Sequence, residues 1–352
     1  MKRIGRAAAW ALAVIFLFSL AACKQAPQRD KYSASFFDSF DTVITVYGYA
    51  ESEEAFNEFL AKVHTRFYEL HRIFNAYEEY EDLNNLYSVN EAAGKTPVSA
   101  PKELRALLNR SLEMYRETDG RVNIALGAVL RLWEQSRAAA VAAPDKASLP
   151  DEKALRMAGE HTDIGNLQID DQAGTVYLAD PLMSLDVGAV AKGYACQLVR
   201  QEMEAAGYTD FVISAGGNVA AVGNQGDGAT PWSVGIQNPD TQMTANLVDT
   251  VLVHTSSVVT AGSYQRYFTV KGVRYNHIID PATLYPATYF DSVTVICEDS
   301  FLADFLATTL FILSPEAGRA LVARMDGVEA FWIETDGMVF YSEGYPAFSE
   351  TY

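Results

Sequence analysis

Two oxygen-bearing side chains, Asp304 and Thr308, lie four residues apart in an apolar run of the sequence. The run has helical character, and a spacing of four residues places both side chains on one face of a helix. A carboxylate and a hydroxyl on one face suit a hard cation such as Mg²⁺, with waters and substrate phosphates as further ligands. The same spacing is more common in a solvated pair or a local hydrogen bond, so spacing alone leaves both interpretations open.

A glycine-rich turn is a second feature suited to phosphate chemistry. Residues 188–194 follow a predicted strand at residues 183–187 and open a helix that ends near Gly207. Exposed backbone N–H groups, the positive end of a helix dipole and Lys192 favour an anion there. The Walker sequence GxxxxGK[ST] is absent, and glycine also serves ordinary tight turns, so the turn by itself is weak support for a phosphate site.

One histidine, His277, lies in the sequence between the glycine-rich turn and the predicted metal-binding helix. His277 belongs to a polar turn, NHIIDPATLYP, between strand-like runs at residues 268–270 and 293–296. A histidine titrates near neutral pH and can act as a general base, although a histidine in a turn is more often structural. His254 ends a predicted strand as a candidate supporting residue, and three others are predicted to be structural or exposed: His64, His71 and His161.

Two aromatic side chains could stack on a planar ligand. Tyr77 follows the first long helical pattern, and Trp133 lies in a short helical segment. Both residue types combine a flat apolar surface with one polar atom, which suits a ligand site as well as a protein core. Taken singly, each is predicted more readily as a core residue.

The elements that must position these residues alternate between helices and strands. Apolar residues at helical spacing predict helices over residues 52–74, with Ser52 as N-cap, and over residues 101–118. An alanine-rich stretch at residues 137–150 is predicted to be a loop-like insertion. Further strands are predicted at residues 40–49, 175–178, 210–214, 232–237 and 247–253, and a final hairpin at residues 328–341.

The first 22 residues have the pattern of a secretory signal peptide. Lys2, Arg3 and Arg6 precede an apolar run over residues 7–20, which is too short to cross a bilayer comfortably. Cys23 follows Leu-Ala-Ala, which resembles a bacterial lipoprotein box in which the cysteine becomes the lipid-modified first residue. The alternative is an uncleaved anchor. The lipoprotein interpretation predicts attachment to the extracytoplasmic face of the cell membrane through Cys23.

Charge and cysteine content exclude several function classes. The formal net charge is −18, and removal of residues 1–22 takes away three basic residues and no acidic one, which gives −21. So acidic a surface repels nucleic acid. Cys196 and Cys297 lie in apolar runs and are predicted to be buried thiols, although they could pair in an oxidising compartment. No Cys-x-x-Cys or Cys/His cluster supports a zinc or iron–sulfur site.

We therefore predict three segments: a signal peptide over residues 1–22, a tether over residues 23–33 that starts with lipidated Cys23, and one large domain over residues 34–352. The chain is 49% hydrophobic, which is enough apolar material for a sizeable core. No internal repeat divides the domain.

Five motifs occur in order along this domain. They are LDVGAVAKGYA at residues 185–195, SAGGN at 214–218, VTAGSYQRYF at 259–268, HIIDPATLYP at 277–286 and ADFLATTLF at 303–311. With FDTVITVYGY, FNAY and GRVNIALGAVLRLW upstream, the chain resembles the ApbE family, the FAD:protein FMN transferases, over about residues 37–342. No single motif is specific, but five in this order are a strong indication.

The resemblance implies a fold, an activity and a cofactor. The implied fold is α+β, with mixed and antiparallel sheets in two interleaved lobes around a T-fold-like core and FAD in the cleft. The implied activity transfers FMN from FAD to a threonine, or sometimes a serine, hydroxyl of an exported or membrane flavoprotein with an FMN-binding domain, and AMP leaves. Mg²⁺ is the implied cofactor and FAD the substrate.

The resemblance also assigns roles to residues. Asp304, Thr308 and the main-chain carbonyl of Ala189 match the metal ligands of the family, and His277 matches the histidine that assists the hydroxyl. Six residues match contacts with FAD: Asp186 and Lys192 near the diphosphate, Phe40 and Tyr77 beside the flavin or adenine, and Leu132 and Trp133 in the segment that closes over FAD.

Several positions depart from the common family pattern. The chain has Thr-Ala-Gly-Ser at residues 260–263 where many members have Thr-Ser-Gly-Asp or Thr-Ser-Gly-Asn, Leu284 where many have glycine, and Ala307 where serine is common. None of these positions is a proposed metal ligand. They leave the metal affinity and the choice of acceptor open.

Two alternatives to a transferase follow from the same residues. An FAD pyrophosphatase would use the same phosphate cradle and metal but admit water, giving FMN and AMP. A non-catalytic FAD-binding lipoprotein would store or deliver FAD and would tolerate the loss of the metal pair, whereas Asp304 and Thr308 are both present.

Overall fold

The computed structural model describes residues 29–240 and 246–352. The predicted signal peptide and Cys23 lie outside these residues. Within them the helices are α1 (Glu53–Phe74), α2 (Leu86–Glu91), α3 (Lys102–Glu117), α4 (Gly127–Ala142), α5 (Glu152–Gly159), α6 (Ala191–Ala205), α7 (Ser300–Ile312) and α8 (Pro315–Val322). None of the helices in these two ranges has the length and apolar character needed to span a bilayer.

The strands of the described ranges are mostly short. They are β1 (Asp30–Ser39), β2 (Thr42–Ala50), β3 (Val98–Ser99), β4 (Leu167–Asp170), β5 (Thr175–Leu178), β6 (Phe211–Ala215), β7 (Asn218–Val222), β8 (Trp232–Gln237), β9 (Leu247–Val253), β10 (Ser256–Gly262), β11 (Tyr267–Val270), β12 (Val273–Asn276), β13 (Ile279–Asp280), β14 (Tyr285–Pro286), β15 (Phe290–Cys297), β16 (Glu329–Glu334) and β17 (Val339–Tyr341).

An eight-stranded antiparallel sheet forms the centre of the fold, with the order β1-β2-β6-β7-β10-β15-β16-β17. Successive side chains of a strand point to opposite faces. In β15, Val293 and Val295 join the large apolar cluster on the helical face, whereas Ile296 joins the cluster on the other face. Because both faces are covered, seven of the eight residues of β15 are buried, including the polar Ser292 and Thr294.

Helix α7 lies inside the helical layer, where most of its residues are buried. A helix that is apolar around its whole circumference belongs in the core of a protein. Its N-terminus is fixed by Asp299, whose carboxylate accepts a hydrogen bond of 2.9 Å from the backbone N–H of Leu302. Asp304 and Thr308 are therefore held on one of the most rigidly packed elements of the molecule.

A second lobe covers one end of the main sheet. Its apolar cluster combines α4 and α5 with residues of the β11–β12 and β13–β14 hairpins, including Trp133, Leu155, Phe268 and Ile279. The indole N–H of Trp133 donates a hydrogen bond of 2.9 Å to the carbonyl of Leu284. Because this lobe is built from two separate parts of the chain, the prediction of two interleaved lobes in an α+β fold is confirmed.

Two local predictions were wrong. Residues 183–187 form no strand apart from an isolated bridge between Leu126 and Ser184. Backbone groups there are satisfied by other partners: the side chain of Asn90 bonds both the N–H and the carbonyl of Leu185, and Ile124 accepts from Asp186. In the stretch at 137–150, the first six residues continue α4, because alanine is the strongest helix former.

Candidate functional site

A cavity of about 840 Å³ opens where the second lobe meets the main sheet and α7. Its walls come from the β1–β2 turn, the end of α1, the start of α6, and the segments around β10 to β13. Nine of the residues predicted for the site line it: Phe40, Tyr77, Trp133, Asp186, Ala189, Lys192, His277, Asp304 and Thr308.

Leu132 was also predicted for the site, but it does not line this cavity. Consecutive residues of a helix point about 100° apart, so Leu132 faces away when Trp133 faces inward. Leu130, three residues before Trp133, takes the place on the cavity wall. Trp133 itself is only 4% exposed and packs mainly against Phe268 and Tyr275, so it borders the cavity as a core residue.

Asp304 is a buried carboxylate with one strong hydrogen bond. Its Oδ2 accepts from the backbone N–H of Gly193 at 2.7 Å, and only 6% of the residue is exposed. A side chain at position 193 would overlap with Asp304 and with the carbonyl of Ser300, so glycine is required for the contact between α6 and α7. Burial raises the pKa of Asp304, and the nearby cation of Lys192 opposes that rise.

Two oxygen atoms near Asp304, those of the Thr308 hydroxyl and the Ala189 carbonyl, lack hydrogen-bond partners within the described residues. The hydroxyl of Thr309 donates to the carbonyl of Phe305 at 2.9 Å, whereas Thr308 makes no such bond and lines the cavity. The side-chain amide of Asn218 lies beside the Asp304 carboxylate and favours its charged form. Gly193 belongs to the first turn of α6, where a backbone N–H has no partner inside the helix, and Asp304 accepts this hydrogen bond. The carbonyl of Ala189, two residues before α6, accepts no hydrogen bond from the described residues.

These oxygen atoms decide what kind of metal could bind. No group of three or more His, Cys, Asp or Glu side chains in residues 29–240 and 246–352 could hold a metal ion. A site here would have to combine the Asp304 carboxylate with the Thr308 hydroxyl and the Ala189 carbonyl. These three ligands are oxygen atoms, and only the carboxylate is charged. Such a site fits a hard cation whose other ligands are water or phosphate oxygens.

Asp186 organises the turn before α6. Its Oδ1 accepts from the backbone N–H of Gly188 at 2.7 Å, and its Oδ2 accepts from the Tyr77 hydroxyl at 2.6 Å. Burial, together with the carboxylate of Asp186, raises the pKa of Tyr77, so its hydroxyl keeps its proton at neutral pH. Although the hydroxyl is anchored, 66% of Tyr77 is exposed, which leaves the ring available to a planar ligand at the cavity.

The cavity wall carries unpaired cations although the protein is acidic. Three of its cations, Arg121, Lys192 and Arg266, have no carboxylate within ion-pair distance in the part of the chain that the structure describes. Arg137 also lines the cavity, but both its Nε and a terminal nitrogen bind Glu134, at 2.9 and 2.5 Å. Unpaired cations in a concave site concentrate anions such as phosphates.

His277 lies on the cavity wall as a neutral imidazole. Its Nδ1 lies 3.2 Å from the carbonyl oxygen of Arg266. Because a carbonyl can only accept, Nδ1 carries the proton and Nε2 keeps its lone pair. The surrounding protein, and then the charges of Arg266 and Lys192, lower the pKa of His277 to about 4, while the bond to the Arg266 carbonyl opposes this. His277 can therefore accept a proton at neutral pH.

The β1–β2 turn forms another wall and carries backbone strain. Phe40 and Asp41 both have positive φ angles, 56° and 49°, which residues other than glycine rarely adopt. The turn is held by His71, whose Nδ1 accepts the N–H of Phe40 at 3.1 Å, and by the packing of the Phe40 ring against Phe67. Such strain persists at sites where the surrounding structure fixes one conformation.

Among the cavity residues that were not singled out from the sequence, four have polar side chains that bear on the site. His71 was predicted to be structural or exposed, and nothing near the end of α1 marks it as a cavity residue. Asn218 and Arg266 lie in two of the quoted motifs, SAGGN and VTAGSYQRYF, so the motifs could have identified them. Arg121 is the second residue of another quoted segment, GRVNIALGAVLRLW, which could have identified it as well.

The remaining histidines and the cysteines lie outside the cavity lining. His64 binds Asp38 and His161 binds Asp180, each at 2.8 Å, and His254 binds Asn224 at 2.5 Å. Both described cysteines, Cys196 and Cys297, are free and buried, as predicted, and burial raises the pKa of each thiol to about 12. We assign no chemistry to either thiol.

Comparison with known proteins gives consistent matches. A model of the ApbE family matches residues 40–332. The FAD:protein FMN transferase of Treponema pallidum is 36% identical over 304 residues, which cover 81% of each chain. One from Klebsiella pneumoniae is 32% identical over 270 residues, which cover 74% of this chain and 81% of the relative. The crystal structure of the ApbE protein of Thermotoga maritima, 25% identical, superimposes with a TM-score of 0.80 and covers 91% of this chain and 100% of that one.

Proposed function

We propose that this chain, which belongs to the ApbE family, is an FAD:protein FMN transferase that acts on the hydroxyl of a threonine or serine. The relatives from Treponema pallidum and Klebsiella pneumoniae carry the name of this activity. The observation that carries the proposal is the cavity itself, which joins the oxygens of Asp304 and Thr308, the cation of Lys192 and the neutral imidazole of His277.

We propose Mg²⁺ as the cofactor, held by Asp304, Thr308 and the carbonyl of Ala189. The free hydroxyl, the free carbonyl and the buried carboxylate fit such an ion, as argued above. When bound, Mg²⁺ would neutralise charge on the diphosphate of FAD and on the leaving AMP. The carboxylate of Asp304 costs free energy to bury without a cation, which is itself an argument for one.

FAD would lie in the cavity with its diphosphate towards the start of α6. Lys192 and Arg121 supply positive charge, and the turn held by Asp186 presents backbone N–H groups at the N-terminus of α6. The rings of Phe40 and Tyr77 offer flat apolar surface for the flavin or the adenine. These contacts would fix the phosphorus of the FMN half in front of His277.

The proton of the acceptor hydroxyl would pass to Nε2 of His277. As it leaves, the hydroxyl oxygen forms a bond to the phosphorus of the FMN half, and the bond from that phosphorus to the bridging oxygen breaks. AMP departs with the bridging oxygen and its electron pair. The Nδ1–H bond to the Arg266 carbonyl keeps the imidazole oriented and stabilises its protonated form.

We also propose that the protein is a lipoprotein on the extracytoplasmic face of the membrane, anchored through Cys23. The support is the sequence alone: three basic residues, an apolar run and Leu-Ala-Ala before the cysteine. Mass spectrometry of the N-terminal peptide from membranes should find Cys23 as the first residue with acyl chains. A Cys23→Ser variant that stays in the membrane fraction, or a wild-type protein whose Cys23 carries no acyl chain, would refute this.

The central test uses protein that begins at Lys24, with FAD, Mg²⁺ and a flavoprotein that carries an FMN-binding domain. Intact-mass measurement and in-gel fluorescence report FMN on the acceptor, and chromatography reports AMP and free FMN. A gain of one FMN per acceptor with an equal amount of AMP supports the transferase. AMP with only free FMN supports an FAD pyrophosphatase, and bound FAD without AMP supports a carrier.

A further inference from the structure

The β11–β12 hairpin stands directly beside the proposed base. Arg266 precedes β11 and His277 follows β12, and the first pair of the ladder joins Tyr267 to Asn276. The Nδ1–H bond of His277 to the Arg266 carbonyl closes the base of the hairpin at the cavity. Its two-residue turn, Lys271 and Gly272, lies at the opposite end, so the hairpin leads from the protein surface to the proposed base.

The hairpin exposes two apolar side chains although part of it is packed. Phe268 and Val270 are buried in the second lobe, with 6% and 9% exposure. Tyr267 and Val273, in contrast, are 44% and 54% exposed. They lie on opposite faces of the ladder, because Val273 is paired with Val270 and Tyr267 with Asn276. The side chains of a strand added to the hairpin would likewise alternate between the two faces.

The hairpin is also basic within an acidic protein. Residues 256–279 contain three basic residues and no acidic one, in a chain whose net charge is −18. Arg274 is paired with Asp291 at 2.6 Å and lies over the ring of Tyr267. Lys271 and Arg266 have no carboxylate partner in residues 29–240 and 246–352. A local positive surface on an acidic molecule favours an acidic partner and orients it as it approaches.

The two strands of the hairpin also have free edges. β11 and β12 form a sheet of two strands, and no third strand pairs with either of them among the described residues. A free strand edge offers unpaired N–H and carbonyl groups, which an extended segment of another protein can bind as an added strand. Such a segment would run along the hairpin and carry one of its own side chains to His277.

We propose that the free edge and the turn of the hairpin are the docking surface for the acceptor protein, with the cations Lys271 and Arg266 and the exposed side chains of Tyr267 and Val273 as contacts. The occupant is an extended, acidic segment that places its threonine or serine hydroxyl at His277. The inference rests on the proposed function, because it names the partner that the same site receives. FAD does not account for the surface, since Lys271 and Val273 lie outside the cavity lining.

Peptide binding tests the docking surface without any transfer reaction. Two labelled 15-residue peptides share one central threonine and differ only in four flanking residues, all Asp or all Lys, and fluorescence anisotropy measures their affinity at low salt. We expect the wild-type protein to bind the Asp peptide at least about tenfold more tightly. Lys271→Glu should weaken that binding about fivefold or more, and Val273→Ser by about threefold.

Lys102→Glu is the matched control, because Lys102 is an exposed lysine at the start of α3 and lies outside the cavity lining. It reverses the same charge and should change the affinity less than about twofold. Circular dichroism melts confirm that each variant is folded. Equal affinities of the wild type for the two peptides, or equal losses in Lys271→Glu and Lys102→Glu, would overturn the proposal.

The transfer assay separates this proposal from the proposed function. With the flavoprotein acceptor, Lys271→Glu should raise the KM for the acceptor and leave the FAD concentration for half-saturation unchanged. If the wild-type protein transfers no FMN, the proposed transferase activity is refuted. The peptide-binding experiment still tests the docking surface in that case. Transfer with an unchanged acceptor KM in Lys271→Glu would refute the docking surface while the transferase stands.

Discussion

The backbone N–H of Gly193 donates a hydrogen bond of 2.7 Å to Oδ2 of Asp304, and this contact joins the two helices that form the floor of the cavity. It has two effects. It holds the carboxylate in place through one of its oxygens, and it provides a partner for an N–H that the first turn of α6 leaves unpaired. The first effect fixes a ligand of the proposed cation, and four predictions follow from the site around this contact.

Replacement of Asp304 by Asn should abolish Mg²⁺-dependent turnover and stabilise the metal-free protein. Asparagine keeps the shape and can still accept from Gly193, but it removes a charge that is costly to bury. We expect a melting temperature higher by about 2 °C for each kcal/mol gained. AMP release against Mg²⁺ concentration and calorimetry without metal measure the two effects. Retained turnover would refute the assignment of Asp304 as the charged ligand.

The neighbouring threonines of α7 form a matched pair. Thr308 faces the cavity, whereas the hydroxyl of Thr309 is buried and binds the carbonyl of Phe305. Thr308→Val should weaken Mg²⁺ about tenfold, the loss of about 1.4 kcal/mol of binding free energy. Thr309→Val should leave Mg²⁺ affinity unchanged and alter the free energy of unfolding by about 1 kcal/mol at most. Equal Mg²⁺ affinities in the two variants would contradict the metal site.

Replacement of Gly193 by Ala should destabilise the fold, because the new methyl group would overlap with Asp304 and the Ser300 carbonyl. Overpacking of this kind costs about 1–3 kcal/mol. Gly318→Ala in α8 is the control, since its methyl group would meet Leu310 and Trp332 at ordinary distances of 3.6 and 3.7 Å. Alanine is favoured over glycine inside a helix, so this control should be neutral or stabilising in urea unfolding. A similar stability of the two variants would contradict the close contact of α6 and α7.

The low pKa of His277 has a consequence for the pH dependence of transfer. A pKa of about 4, lowered by the surrounding protein and the charge of Arg266, keeps the imidazole neutral across the range from pH 6 to 8. The proton-accepting form is therefore lost only as the pH falls towards 4. We expect kcat/KM to show no acid limb near pH 6.5, the ordinary value for histidine.

His277→Gln provides the comparison for this profile. Glutamine can bond the Arg266 carbonyl but cannot accept the proton, so transfer should slow about 10²- to 10⁴-fold while FAD still binds. An acid limb near pH 4 that persists in this variant belongs to another group, such as Asp304. A limb near pH 6.5 in the wild type, or an unchanged rate in the variant, would rule out His277 as a neutral base.

The sequence was informative where a local rule decides the structure. Ser52 was predicted as the cap of the first helix, and its hydroxyl accepts from the N–H of Ala55 at 3.2 Å. The spacing of Asp304 and Thr308 placed both on one face of a helix, and both line the cavity. Here the pattern within one turn of helix is sufficient, because the geometry of the element fixes the side-chain directions.

Prediction failed where partners distant in sequence decide the structure. The apolar residues at 183–187 resemble a strand, but Asn90, which is 95 residues away, supplies the hydrogen bonds at Leu185. His71 is unremarkable in a helical sequence, and only the fold brings its Nδ1 to the N–H of Phe40. Leu132 was assigned from a motif to the segment that closes over FAD; Leu130 lines the cavity and Leu132 does not, and a contact of Leu132 with FAD stays a prediction.

The length of β1 has a consequence for how the protein meets other molecules. The strand begins at Asp30, next to an ion pair of 2.5 Å between Arg29 and Asp210, and ends one residue before Phe40 at the cavity. Its ten residues span about 33 Å at about 3.3 Å per residue. Residues before Arg29 therefore join the domain at the end of β1 away from the cavity, so the anchor proposed at Cys23 would hold the protein by that end and leave the cavity to a macromolecule that arrives from the other side.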